Sequence, residues 1–75
     1  MTYGEKAVGL NFNPGGDEMV AKLKRLYAEI IDICHKEQAA YEKEPSEKHF
    51  LFSIAIREAQ GAQMWAVKAV TWRDE

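Results

Sequence analysis

The chain has 75 residues, of which 47% are hydrophobic and 29% are charged, and its formal net charge is −2. This length supports one domain, and the mildly acidic balance gives no electrostatic reason to expect DNA as a partner. Because no apolar run reaches the roughly 20 residues that span a bilayer, and because Cys34 is the single cysteine, we predict a cytoplasmic protein without a membrane partner.

The first segment, residues 1–16, is predicted to be an extended arm. Its apolar residues Val8, Leu10 and Phe12 alternate with glycine and asparagine, a pattern typical of extended chain. The segment ends in the sequence NPGG (residues 13–16), which combines three strongly turn-forming residue types. We therefore predict a turn between this arm and the first helix.

A helix is predicted over residues 17–43. Asp17 is a suitable N-cap, and Pro45 ends the helix because the residue before a proline disfavours helical geometry. Between these two points apolar residues recur at helical spacing, at Val20, Leu23, Tyr27, Ile30 and Cys34.

A second helix is predicted over residues 46–72, with Ser46 as its N-cap. Both helices have roughly 27 residues and a length of about 40 Å. A short break at Glu44-Pro45 joins them, which favours an antiparallel hairpin. The predicted fold is therefore all-α: a single hairpin domain over residues 1–75, preceded by an extended N-terminal arm.

The second helix carries a stripe of small residues that predicts close packing against a partner. Alanines recur along it at spacings of 4, 3, 4 and 3, at Ala55, Ala59, Ala62, Ala66 and Ala69. Trp65 and Trp72 lie beside this stripe. One hairpin buries one stripe per helix and would leave much of this apolar surface in water, so we predict assembly into a homo-oligomeric helical bundle.

The sequence offers little catalytic chemistry. Cys34 and His35 are adjacent, so on a helix they point about 100° apart and cannot form a local nucleophile–base pair. Neither a metal-ligand spacing nor a cluster of carboxylates is present. We predict that the protein is not an enzyme and needs no metal or cofactor.

A second row on the same helix favours ligand binding. It consists of Arg57, Gly61, Met64, Lys68 and Thr71, so two cations bracket a glycine whose backbone is uncovered. Trp72 and Arg73 follow and offer stacking and charge, a mixture that suits a nucleotide. The alternative is that the cations form a solvated face and the tryptophans an oligomer core.

Three segments carry a family resemblance: VGLNFNPGGD (8–17), RLYAEIIDIC (25–34) and AIREAQGAQMWAVKAVTW (55–72). They resemble the hairpin domain of small phage anti-defence proteins, the sponges known as anti-CBASS protein 2 and Thoeris anti-defence protein 1. The most specific parts are the FNPGG turn (12–16) and the block AQMWAVKAVTW (62–72). The resemblance is closer to the Thoeris branch.

The resemblance implies a helical hairpin that forms homo-dimers and larger homo-oligomers up to hexamers. It also implies that the protein sequesters a cyclic-nucleotide immune messenger without cleaving it, in the cytosol of the infected bacterial cell. The messengers are glycocyclic ADP-ribose, cyclic dinucleotides or trinucleotides, or both kinds. The implied ligand-binding positions are Phe12, Asn13, Pro14, Gln63, Met64, Lys68, Trp72 and Arg73, to which the cation row adds Arg57.

Two other functions stay open at this point. A small oligomeric helical protein could bind another protein through Trp65 and Trp72, since tryptophan is enriched at binding hot spots. A nucleic-acid-binding regulator could use Lys22, Lys24 and Arg25, although three cations on an acidic chain make a small patch.

Overall fold

The computed structural model describes residues 1–43 and 46–74, which contain three helices: α1 (Tyr3–Val8), α2 (Glu18–Ala39) and α3 (Glu47–Thr71). α2 and α3 form the hairpin. At one end, the Gln38 amide of α2 donates hydrogen bonds to the His49 carbonyl (3.2 Å) and the Ser53 hydroxyl (2.5 Å) near the start of α3. Because the last residues of α2 meet the first residues of α3, the two helices are antiparallel.

Both long helices begin at capped N-termini. One carboxylate oxygen of Asp17 accepts from the backbone N–H groups of Met19 (2.8 Å) and Val20 (3.1 Å), and the Ser46 hydroxyl accepts from that of His49 (3.2 Å). Each cap satisfies donors that the helix itself cannot satisfy, and capping of this kind stabilises a helix by about 1 kcal/mol.

The N-terminal segment corrects the prediction of an extended arm, because residues 3–8 form helix α1. Thr2 and Glu5 make a reciprocal capping box: the Thr2 hydroxyl accepts from the Glu5 N–H, and the Glu5 carboxylate accepts from the Thr2 N–H. At the other end Gly9 adopts the left-handed conformation (φ 64°) that commonly terminates a helix. The Thr-x-x-Glu pattern was the relevant signal, and it outweighs an apolar alternation that is only three residues long.

α1 packs against α2 at a position where only glycine fits. A Cβ atom on Gly4 would lie 2.1 Å from the Ala28 carbonyl oxygen and 2.8 Å from a carboxylate oxygen of Asp32. The Gly4 N–H donates to that same carboxylate at 2.7 Å. The Tyr3 ring also stacks on His35, with ring centroids 4.0 Å apart. Close backbone approach and one polar contact therefore seat the short helix on α2.

The long helices are shorter than predicted. The helix expected over residues 17–43 ends at Ala39, because the following N–H groups of residues 40–42 bond to carbonyls three residues back, in turns. The helix expected over residues 46–72 runs from Glu47 to Thr71, with an extended backbone at Trp72. The predicted break at Glu44-Pro45 lies outside the described residues.

The core of the hairpin is small. Among the described residues, the buried apolar side chains are Val8, Val20, Ala28, Ile31 and Ile56. The molecule measures 50 × 24 × 13 Å, so it is elongated and thin. Large apolar side chains remain exposed on both long helices, including Met19, Leu26, Ile30, Ile33, Phe50, Leu51, Ile54, Met64 and Trp65.

The alanine stripe of α3 is only partly covered within the chain. Ala59 and Ala66 are half-buried, and Ala59 packs against the core, whereas Ala55, Ala62 and Ala69 are exposed. α2 therefore does not close over the stripe as a whole. Within the described residues, no helix combines the length and the apolarity that crossing a bilayer requires.

Candidate functional site

Two neighbouring grooves lie where the start of α2 meets the end of α3. The first, the turn groove, has a volume of about 560 Å³ and runs between the FNPGG turn and the end of α3. The second, the α1 groove, has a volume of about 700 Å³ and runs between α1 and α3. Both volumes fall in the range of about 300–1,000 Å³ that is common for small-molecule sites. The two grooves share four lining residues: Phe12, Lys24, Val67 and Thr71.

The turn groove gathers five of the residues that the sequence predicted for the site. They are Phe12, Asn13, Pro14, Trp72 and Arg73. The Phe12 ring is 75% exposed, and the Trp72 ring is 62% exposed. An exposed aromatic ring at the edge of a groove is free to stack on a planar ligand, so both rings are placed for that contact.

Asn13 shapes the turn through its side chain. Its amide nitrogen donates to the Asp17 carbonyl at 2.9 Å, and its amide oxygen accepts from the Asp17 N–H at 3.3 Å. Its own carbonyl accepts from the N–H of Gly16, whose φ of 62° favours glycine. These three bonds close the turn, so Asn13 positions the groove wall while Pro14 and Phe12 line it.

Lys24 is the buried cation of the site. Its side chain is 5% exposed, and its ammonium group donates to the carbonyls of Gly9 (2.9 Å) and Phe12 (2.5 Å). The same nitrogen lies 5.5 Å from the centre of the Phe12 ring. Lys24 thus ties the segment after α1 to α2 and places a positive charge at the border of both grooves.

The α1 groove gathers the predicted residues of α3. Gln63, Met64 and Lys68 line it together with Phe12. The Lys68 ammonium lies 5.4 Å from the centre of the Trp65 ring and 5.9 Å from that of Trp72. A cation held between two exposed aromatic rings is suited to a ligand that carries an anionic group beside a planar ring.

Trp72 has a polar partner at its outer edge, because its indole N–H donates to the Asp74 carboxylate at 2.8 Å.

Gly61 lies one helical turn before Trp65, and a Cβ atom built on it would meet nothing within 4 Å among the described residues. The uncovered backbone that the sequence predicted at Gly61 is therefore present.

Arg57 is the one predicted residue that the structure does not bring to the grooves. Its guanidinium donates to the Gln60 side chain at 3.1 Å. Arg57 lines a small cavity of about 40 Å³ beside Tyr3, Gln38 and Ser53 instead. Met64, which lines the α1 groove, is seven residues and thus two helical turns further along α3 than Arg57.

Several groove residues were missed in the sequence, and Lys24 is the most informative of them. The buried positions of α2 are Val20, Lys24, Ala28 and Ile31, spaced by 4, 4 and 3 residues. A lysine within an otherwise apolar helical stripe was the available signal, since lysine is rarely buried without a specific partner. Lys6, Gly9 and Val67 carried no comparable signal, whereas Thr71 had been placed in the ligand-binding row of α3.

Metal ligation has no support in the part of the chain that the structure describes. Across residues 1–43 and 46–74, no group of three or more His, Cys, Asp and Glu side chains is arranged to hold a metal ion. The polar and aromatic residues that line the grooves are Phe12, Asn13, Asp17, Lys6, Lys24, Gln63, Lys68, Thr71, Trp72 and Arg73.

The fold and these grooves define a small helical hairpin with a ligand-sized site beside its N-terminal turn. A family model described as "Acb2/Tad1, hairpin domain" matches residues 5–71. The chain belongs to the Acb2/Tad1 hairpin-domain family, in agreement with the resemblance noted in the sequence. The match covers both branches of the family, so assignment to the Thoeris branch stays a prediction. No similar curated protein and no similar solved structure was found.

Membership of this family is consistent with an anti-defence role in which a cyclic nucleotide is sequestered. Proteins of this family act as binding sponges rather than as enzymes.

Proposed function

We propose that this protein binds a cyclic-nucleotide immune messenger and sequesters it intact, which blocks Thoeris or CBASS immunity in the cytosol of the infected bacterial cell. The observation that carries the proposal is the family match over residues 5–71. The proposed ligands are glycocyclic ADP-ribose, cyclic dinucleotides or cyclic trinucleotides.

The residue types in the grooves support this class of ligand. The exposed rings of Phe12 and Trp72 are proposed to stack on bases, an interaction that contributes about 1–3 kcal/mol per base. Lys68 or Arg73 is proposed to meet phosphate. Lys24, whose ammonium is held by the Gly9 and Phe12 carbonyls, adds a positive charge beside the site. These local cations matter because the chain as a whole is mildly acidic.

The proposed mechanism depends on affinity and abundance. A sponge competes with the immune effector for a fixed amount of messenger. If free binding sites exceed the dissociation constant about 100-fold, mass action leaves about 1% of the messenger free. Neither a nucleophile nor a general base is required for this effect.

Calorimetry against a panel of ligands tests the proposal. The panel contains glycocyclic ADP-ribose, canonical cyclic ADP-ribose, cyclic di-AMP, cyclic di-GMP, 3′,3′-cGAMP and one cyclic trinucleotide. We expect saturable binding of at least one of them. After heat denaturation of the complex, mass spectrometry should recover that ligand chemically intact.

Two results would contradict the proposal. Absence of binding to every member of the panel would exclude messenger sequestration, and time-dependent conversion to a linear product would reveal an enzyme.

The alternative function, a protein-interaction module without a nucleotide ligand, also has a specific observation in its favour. Trp65 is 70% exposed and Trp72 is 62% exposed, and exposed tryptophans are common anchors at protein interfaces. The same calorimetric panel separates the two functions, because this module would bind none of the nucleotides.

A further inference from the structure

Gln63 is the most buried of the three glutamines and differs from the other two in its hydrogen bonding. It is 5% exposed, yet its side-chain amide makes no hydrogen bond to any other described residue. By contrast, the half-buried Gln38 donates to His49 and Ser53, and the half-buried Gln60 accepts from Arg57. An amide on a residue this buried can stay without a protein partner only if its nitrogen and oxygen reach a solvent-filled surface.

The amide of Gln63 is open to the α1 groove. Gln63 lines that groove, and no side-chain nitrogen or oxygen atom among the described residues is both sealed from solvent and unpaired. The amide oxygen and nitrogen of Gln63 are therefore not sealed from solvent, although the residue as a whole is 5% exposed, and Gln63 lines the α1 groove.

We propose that Gln63 is the residue that recognises the base of the bound nucleotide, by pairing its amide with the edge of an adenine. This inference rests on the proposed function. A carboxamide presents one acceptor and one donor side by side. Adenine presents the complementary pair, since its N6 amino group donates and an adjacent ring nitrogen accepts.

The surroundings of Gln63 supply the other contacts that a nucleotide needs. The exposed Phe12 ring borders the same groove, and it offers a stacking surface for a base. Lys24 and Lys68 also line it. Stacking and phosphate contacts accept any base, whereas a paired amide distinguishes one base edge from another. Gln63 is thus the specificity-determining residue of the site.

Two substitutions at Gln63 test this role. Gln63→Met keeps the length of the side chain and removes both hydrogen-bonding groups. It should weaken binding of adenine-bearing ligands, glycocyclic ADP-ribose and cyclic di-AMP, by roughly 5- to 150-fold, which is the range for one bidentate base contact. Gln63→Glu keeps two acceptors and loses the donor. One carboxylate oxygen would face the lone pair of the adenine ring nitrogen, which is repulsive. The same carboxylate can accept two hydrogen bonds from the N–H groups at N1 and N2 of guanine. The ratio of cyclic di-AMP affinity to cyclic di-GMP affinity should therefore fall at least tenfold.

The matched controls are Gln60→Met and Gln60→Glu, which make the same changes on the same helix at a residue that borders neither groove. They should leave each dissociation constant within twofold of the parent. Circular dichroism and light scattering verify that each variant keeps the helicity and the oligomeric state of the parent.

The outcomes distinguish this inference from the proposed function. If the parent binds none of the ligands, the proposed function fails. If the parent binds one or more of them and neither Gln63 variant alters affinity or base preference, the function stands and the role of Gln63 is wrong. If Gln63→Met changes the oligomeric state instead of the base preference, the amide belongs to a contact between protomers, which also overturns the inference.

Discussion

At the scale of single residues, replacement of glycine by alanine is expected to change folding stability in opposite directions at Gly4 and Gly61, because their surroundings differ. Gly4 has no space for a Cβ atom, because the Ala28 carbonyl oxygen and the Asp32 carboxylate occupy it. Gly61 lies within α3 and faces open space. The first glycine is required by close packing of two helices, and the second is not required by packing within the chain.

Gly4→Ala should therefore destabilise the fold. The new methyl group would force α1 away from α2, and overpacking of this kind costs roughly 1–3 kcal/mol. Gly61→Ala should instead stabilise the fold by roughly 0.5–1 kcal/mol, the usual gain when alanine replaces glycine inside a helix. Thermal unfolding at a fixed protein concentration measures both effects. Equal stability of Gly4→Ala and the parent would show that α1 does not dock on α2 in solution.

Lys24 combines a structural task with a position at the candidate site. We expect Lys24→Met to lower the free energy of unfolding by about 1–3 kcal/mol, because the hydrogen bonds from the ammonium to the Gly9 and Phe12 carbonyls are lost. Lys22→Met removes the same charge from an exposed position of α2 and is the control. Chemical denaturation of both variants makes the comparison, and equal destabilisation would contradict the proposed tie between the turn segment and α2.

At the scale of elements, the candidate site lies where three segments meet on the first turns of α2, which contribute Val20 and Lys24. α1 contributes one wall, the FNPGG turn contributes the second and the last turns of α3 contribute the third. Phe12 lies where the two grooves meet, and its side chain is largely exposed, with the Lys24 ammonium 5.5 Å from the centre of its ring. A substitution at Phe12 should therefore change ligand affinity without a comparable change in folding stability.

Phe12→Ala should reduce ligand affinity by about 1–3 kcal/mol, the cost of losing one stacked base, and should leave thermal stability nearly unchanged. Phe50→Ala is the matched control, because Phe50 is 58% exposed on α3 and borders neither groove. Calorimetry with the tightest ligand of the panel provides the affinities. Retained affinity in Phe12→Ala, with an unchanged oligomeric state, would place the ligand elsewhere.

At the scale of the whole molecule, the two sides of the hairpin differ. On α3, Met64, Lys68 and Thr71 border the α1 groove. Helical geometry places Ala59 and Ala66 of the alanine stripe about half a turn around the same helix. One side therefore carries α1 and the grooves, while the other carries the alanine stripe. That second side is the expected contact surface between protomers.

We expect light scattering coupled to gel filtration to detect a dimer or a larger oligomer. A monodisperse 8.6 kDa monomer at micromolar concentration would contradict this expectation. Ala62→Leu should weaken assembly, because overpacking a close helix contact costs roughly 1–3 kcal/mol. The fold of each protomer should persist, since Ala62 is exposed within the chain. Ala21→Leu, the same enlargement at an exposed position beside Lys22 on α2, should have a smaller effect on assembly.

The sequence by itself determined the helical hairpin and its family, because each depends on local information. Capping residues and the spacing of apolar residues indicate helices over several turns, and the segments 8–17 and 55–72 carried the family resemblance that the match over residues 5–71 confirmed. The same local information was misread at α1. The alternation of Val8, Leu10 and Phe12 predicted an extended arm, whereas the Thr2–Glu5 capping box, which the structure shows to be formed, begins a helix.

Only the tertiary structure decided which candidate residues share a surface. The separation of Arg57 from the grooves, the burial of Lys24 beneath the Phe12 ring and the unpaired amide of Gln63 all depend on how α1, α2 and α3 meet. These facts join residues that lie far apart in the chain. Helical periodicity predicts on which face of its helix a side chain lies. It does not predict where along that helix another helix crosses, or which partner a buried polar group finds there.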